Sequence, residues 1–303
     1  MTEPKAPGQV TSITIESKAL GESKKVNIYL PPGYDKSTER YPVVYLFRGH
    51  EREWVNPQED GSRKGRTAAT VADDLINGGT IGPVILVMPG LATDDNRIPG
   101  LGINFVQPEL VTAEPTVGPG RFEDFMVREV IPAVDAQFRT LADRQHRGVD
   151  GFSLGGFTAV SLGLRFPDLF SSVGAFDGTM FWANATRPDG TQDSLVLNSM
   201  FRAAFGAPVN MERFRQVNPM DLVDAVPAET LQALTFHIHS GSEAAEPNAS
   251  NFFRNQALVE KLKARGVANS FEPFALEGSS HNWWWADEHL TRSLVKHMQV
   301  FKR

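Results

Sequence analysis

The spacing of apolar residues changes character several times along this chain. Ser12 to Ser17 and Lys25 to Leu30 alternate apolar with polar positions, the two-residue period of strands with one wet face. Pro31-Pro32-Gly33 stops the second, so the pair predicts an antiparallel sheet edge. Pro42 to Phe47 and Val84 to Met88 are unbroken apolar runs, the pattern of strands covered on both faces, and belong at the centre of a sheet. Between them Thr67 to Asn77 places Val71, Leu75 and Ile76 at helical spacing and ends at Gly78-Gly79, a suitable helix stop.

The same order continues. A long Gly-, Pro- and Asp-rich loop reaches about Gly120, and loops of that length are often functional. A helix is then predicted over Phe122 to Phe138, a strand over Gly148 to Phe152, a helix over Leu154 to Arg165 and a strand over Ser172 to Phe176. Thr179 to Glu229 is irregular and aromatic, with Phe181, Trp182, Met200, Phe201, Phe205 and Phe214, and reads equally as a cap over a pocket or as a packed insertion. Regular patterning returns with strand Leu234 to Ser240, helix Asn251 to Arg265, strand Ser270 to Ala275 and helix Ala286 to Val300. Strands alternating with helices predict an α/β fold with a mostly parallel central sheet and helices on both faces. At 303 residues, one domain over 1–303 with a possible cap or insertion at about 179–229 suffices.

Composition narrows the partners. Hydrophobic residues make up 41% and charged residues 22%, an ordinary globular balance, and the formal net charge of −6 gives no attraction to nucleic acid or an anionic membrane. No stretch of about 18 apolar residues is present to span a bilayer. The absence of cysteine removes disulfides, thiolate metal sites and cysteine nucleophiles. Met1 to Val10 is polar, without the apolar core of a signal peptide, which predicts a cytoplasmic location.

Candidate chemistry concentrates at Gly151-Phe152-Ser153-Leu154-Gly155, a G-x-S-x-G sequence between a predicted strand and a predicted helix. A nucleophile at such a sharp turn sits in a strained backbone, and glycines two residues either side avoid collisions with it. Ser153 needs a base, and in this architecture the histidine follows the last strand, where His281 lies in Glu277-Gly278-Ser279-Ser280-His281-Asn282-Trp283. His289, His297 and His146 have packing or surface positions, and His237 with His239 lacks a third metal ligand. The acid that orients the imidazole is expected in the turn after Leu234 to Ser240, where Glu246 is favoured narrowly over Glu243, with Asp177 at the end of the preceding strand as a third candidate. The oxyanion donors are expected to be the backbone N–H groups of Leu154 and His50.

Several separated segments, in one order, resemble the esterase D, feruloyl esterase and mycolyltransferase branch of the α/β-hydrolases. They are Tyr41-Pro42-Val43-Val44-Tyr45-Leu46, Phe122-Glu123-Asp124-Phe125, Glu129-Val130-Ile131-Pro132, Gly151 to Gly156, Phe166-Pro167-Asp168-Leu169-Phe170 and Gly278 to Trp283. The resemblance implies an α/β-hydrolase fold, Ser153 as nucleophile, His281 as base and the His50 and Leu154 amides as oxyanion donors. Two departures stand out. Arg48-Gly49 replaces the usual His-Gly or Asp-Gly, and Gly241-Ser242-Glu243-Ala244 has alanine where an aspartate is usual, which a longer loop reaching Glu246 would repair.

The expected function is serine esterase chemistry on small carboxylic esters, needing no metal or organic cofactor. The same triad could serve an acyltransferase, in which an alcohol replaces water. From a different class, a catalytically silent binding protein would keep the pocket and use aromatic residues such as Trp283, Trp284 and Trp285, which could equally pack the final helix.

Overall fold

The computed structural model describes residues 6–247 and 249–302. Met1 to Lys5, half of the polar opening segment, lie outside the described residues. A seven-stranded sheet of order β1-β2-β4-β3-β5-β6-β7 runs through the molecule. Strands β1 (Gln9–Ser17) and β2 (Glu22–Leu30) form an antiparallel hairpin, and β2 pairs antiparallel with β4 (Ile85–Pro89). From β4 onward β3 (Val43–Phe47), β5 (Arg147–Gly151), β6 (Ser172–Phe176) and β7 (Thr235–His239) are parallel. This is the mostly parallel α/β arrangement that the alternating pattern predicts, and it agrees with the α/β-hydrolase fold that the resemblance implies.

Period-two alternation decides which side each strand residue serves. On β3, Val43, Tyr45 and Phe47 join one apolar cluster while Val44 and Leu46 join the other. Helix α1 (Ala68–Asn77) carries Val71 and Leu75 to the second cluster and is opened by a reciprocal capping pair between Thr67 and Thr70. The helix α2, residues 122–137, is α-helical at both ends and π-helical over Phe125–Val130. Its wide turn stands just before Pro132, which has no N–H to continue the ladder. With α3 (Leu154–Arg165) and α4 (Phe252–Ala264), α2 covers the first face, and α5 (Trp283–Phe301) joins α1 on the second.

Two expectations are corrected. Ser270 to Ala275 does not form a strand: only single parallel bridges, Phe236 to Asn269 and Ser240 to Ala275, extend the sheet past β7. Pro273 removes a backbone donor from the middle of that segment, so no ladder propagates. Residues 179–229 are less irregular than their composition suggests, containing short helices at Arg202–Phe205, Met211–Arg215, Pro219–Ala225 and Ala228–Gln232. Phe181 stands at the centre of their aromatic packing, edge-on to Phe157 of α3 at 5.4 Å and to Phe201, Phe205 and Phe214 at 5.1, 5.2 and 5.9 Å. These rings are fully buried and continuous with the core of the first face.

Candidate active site

Open parallel sheets gather chemistry at the carboxyl ends of their strands. Here the ends of β5, β6 and β7 meet the loop before α5. The chain leaves β5 at Gly151 and turns into α3 through Ser153, whose backbone takes φ 59 and ψ −119. That conformation is costly for a residue with a side chain and persists because the turn is clamped. Ser153 N–H donates to Phe176 C=O at 3.1 Å, and Thr179 N–H donates to Ser153 C=O at 2.9 Å. The flanking glycines are obligatory: a Cβ on Gly155 would stand 1.9 Å from the Phe47 carbonyl oxygen, and one on Gly151 would stand 2.2 Å from that of Gly155.

Ser153 Oγ lies 2.9 Å from His281 Nε2, and His281 Nδ1 lies 2.6 Å from Asp177 Oδ2. Phe152 packs against the imidazole with ring centroids 4.7 Å apart. The imidazole edge reaches solvent, with 27% of the His281 side chain exposed against none of Asp177. The second Asp177 oxygen accepts from Ser240 Oγ at 3.0 Å and from the Gly241 and Asn251 amides at 2.9 Å each. Burial pushes the Asp177 carboxyl up, but the His281 hydrogen bond and charge, with the Asn251 and Gly241 amides, outweigh it and hold the group below the usual carboxylate range. The acid beside the histidine is therefore an anion at neutral pH.

The preference for Glu246 or Glu243 as the partner of His281 is thus corrected. Glu243 is exposed in the one-turn helix Glu243–Ala245. Glu246 lies at the approach to α4, where burial raises its carboxyl and the Phe253 and Phe252 amides partly oppose that rise. It borders a cavity of about 490 Å³ lined by Trp182, Arg187, Asn251, Phe253 and Arg254 among others. Thr179, which sequence reasoning passed over, places its hydroxyl 3.3 Å from Ser153 Oγ.

The two amides expected to face an oxyanion differ in state. Leu154 opens α3, so its N–H has no acceptor within the helix. The His50 N–H is already engaged, donating to Glu53 Oε2 at 2.6 Å. Its side chain turns elsewhere, with Nδ1 2.6 Å from Glu51 Oε2. The three tryptophans after His281 pack the final helix. Trp283 is buried edge-on against Trp54 at 5.0 Å and Phe152 at 5.2 Å, and Trp284 lies beneath the cations of Lys64 and Arg66.

Arg63 fastens this region from below. Its guanidinium makes two 2.9 Å hydrogen bonds to Asp287 of α5, also donates to the carbonyls of Glu53, Trp54 and Asn56, and stacks 4.5 Å from the Trp283 ring. Both Arg63 and Asp287 are fully buried.

A second serine and histidine arrangement lies within the sheet. Ser172 Oγ contacts His297 Nδ1 at 2.6 Å and His237 Nε2 at 2.8 Å, and Asp150 contacts His297 at 3.2 Å and His289 at 3.0 Å. Ser293 Oγ donates to Asp150 at 2.6 Å, and His239 meets His289 at 3.0 Å. Ser172, Asp150, His289 and His297 have no exposed surface. This network satisfies polar groups between β5, β6, β7 and α5, but a substrate carbonyl has no route to it.

Comparison with known proteins places these features in a family. The model of the Esterase family, described as "Putative esterase", matches residues 17–297. The chain is 33% identical over 175 residues to an endo-1,4-beta-xylanase/feruloyl esterase of Xylanibacter ruminicola, covering 56% of this chain and 22% of that protein. It is 28% identical over 221 residues to Esterase MT1326 of Mycobacterium tuberculosis, covering 69% of this chain and 42% of that protein. The chain thus spans less than half the length of these curated relatives. Among solved structures, a ferulic acid esterase superposes with a TM-score of 0.70 at 19% identity, over 97% of this chain and 99% of that one. An S-formylglutathione hydrolase from Agrobacterium tumefaciens gives 0.69 at 18% identity, over 97% and 95%. Matched by the family model along almost its whole length, the chain belongs to the Esterase family, and the superpositions show that it shares the fold of those hydrolases.

Proposed function

We propose that this protein hydrolyses carboxylic esters through an acyl-enzyme on Ser153, with His281 as general base and Asp177 as the carboxylate that orients it. The continuous chain from Ser153 Oγ through His281 to Asp177, with spacings of 2.9 and 2.6 Å, carries the reading. His281 takes the hydroxyl proton as Ser153 attacks the ester carbonyl, then gives it to the leaving alcohol; water attacks the acyl-enzyme in the second half. Asp177 fixes the tautomer that presents Nε2 to Ser153 and stabilises the imidazolium. The Leu154 amide supports charge on the carbonyl oxygen. The names of the relatives, feruloyl esterase and S-formylglutathione hydrolase among them, support an ester or thioester substrate without choosing between them.

Hydrolysis of p-nitrophenyl acetate by wild type, Ser153→Ala and Ser172→Ala tests this. Loss of turnover in Ser153→Ala, with folded Ser172→Ala still active, supports the assignment. Full activity in Ser153→Ala would overturn it.

A further inference from the structure

The bend after β3 holds a carboxylate where the reaction calls for a free donor. Gly49 and His50 present consecutive amides, and both donate to Glu53 Oε2, at 2.8 and 2.6 Å. Glu53 is buried. Its other oxygen stands 3.9 Å from Arg48 Nε, beyond hydrogen-bond length, and that Nε is buried without an acceptor among the described residues. The Arg48 guanidinium lies over the Phe152 ring, 5.4 Å from its centroid, directly beside the residue that precedes Ser153. An occupied amide and an unsatisfied cationic donor therefore flank one carboxylate.

A negative oxygen held on the His50 amide is compatible with the resting protein but not with a second negative oxygen forming beside it. A shift of Glu53 toward Arg48 would cure both defects: the buried Nε would gain an acceptor, and the His50 N–H would be released. We propose that Glu53 is a latch on the oxyanion amide, with Arg48 as its landing site, so that these two positioning residues expose the second donor when the substrate carbonyl arrives. The latch rests on Ser153 being the nucleophile. Arg48 suits that role because a guanidinium keeps its charge and offers several N–H donors to a carboxylate.

The test is a double-mutant cycle on p-nitrophenyl acetate turnover with wild type, Arg48→Met, Glu53→Gln and the double variant, each checked for folding by its melting curve. Arg48→Met strands Glu53 on the amides, so kcat should fall at least tenfold with KM within twofold, and Arg48→Lys should recover part of the loss. Adding Glu53→Gln to Arg48→Met should restore most of kcat. A double variant no faster than Arg48→Met overturns the latch. So does an equal loss from Glu53→Gln in both backgrounds, the behaviour of a merely structural brace. Should the Glu53 variants not fold, wild type crystallised with phenylboronic acid bound to Ser153 decides. Glu53 Oε2 still within hydrogen-bond distance of the His50 amide would refute the latch, and a Glu53 carboxylate within hydrogen-bond length of Arg48 Nε with the His50 amide released would support it. Ser153→Ala run in parallel keeps the two readings apart, since its full activity would remove the nucleophile and the latch with it, whereas the cycle bears on the latch alone.

Discussion

Asp177 and His281 stand 104 residues apart in the chain and 2.6 Å apart in the fold. The carboxylate comes from the end of β6, the strand beside the one that leads into Ser153, and Ser240 and Gly241 at the end of β7 hold it in place. The strand expected to supply the acid instead supplies its hydrogen-bond donors.

That placement separates the three candidate carboxylates. Asp177→Asn should keep the shape of the site but favour the wrong imidazole tautomer, lowering kcat by about 10⁴-fold. Glu246→Ala and Glu243→Ala should stay close to wild type. Steady-state kinetics of the three variants check this, and a large loss confined to Glu246→Ala would return the role to the loop after β7.

The buried histidines give the fold a dependence on pH. Burial, reinforced by the charges of His289 and Arg292, pushes the His239 imidazole down to about 2, and His237 is lowered in the same sense by its burial and by His297. In the unfolded chain each titrates near about 6.5. Below that pH the unfolded state binds protons that the native state does not, so their contribution is present in full above it and is lost as pH falls, at roughly 1.4 kcal/mol per pH unit for each. His239→Gln should flatten the stability profile by about that slope between roughly pH 5.5 and 4.5, measured by urea unfolding. An unchanged slope would mean that His239 is already protonated in the folded protein.

Residues 179–229 behave as core in their packing. Phe181→Ala should cost about 3–5 kcal/mol, because four rings lose their common neighbour. Guanidinium unfolding measures it. A cost under about 1 kcal/mol would indicate that the segment lifts freely, as a mobile cap would.

Much of this was legible beforehand because one physical signal dominated each element. Short unbroken apolar runs between turn signals fit strands covered twice, and β3 and β4 lie where those runs are. Ser153 announces itself through glycines that the turn cannot do without. The short helices after Phe181 escaped because they span only four to seven residues, too few for a helical period to register. Asn210 caps one of them by accepting from the Arg213 amide, a local signal that an apolar pattern does not contain. Asp177 was readable as a charge directly after a fully buried strand, but choosing it required knowing which amides from β7 converge on it. The engagement of the His50 amide depends on a side chain three residues further on folding back, which spacing alone does not report.

The bond between Arg63 and Asp287 ties the bend at residues 53–56 to the helix that begins beside His281. One fastener thus serves both margins of the cleft. A substitution in the last helix that frees Arg63 therefore reaches the bend at residues 53–56 as well as the turn at His281.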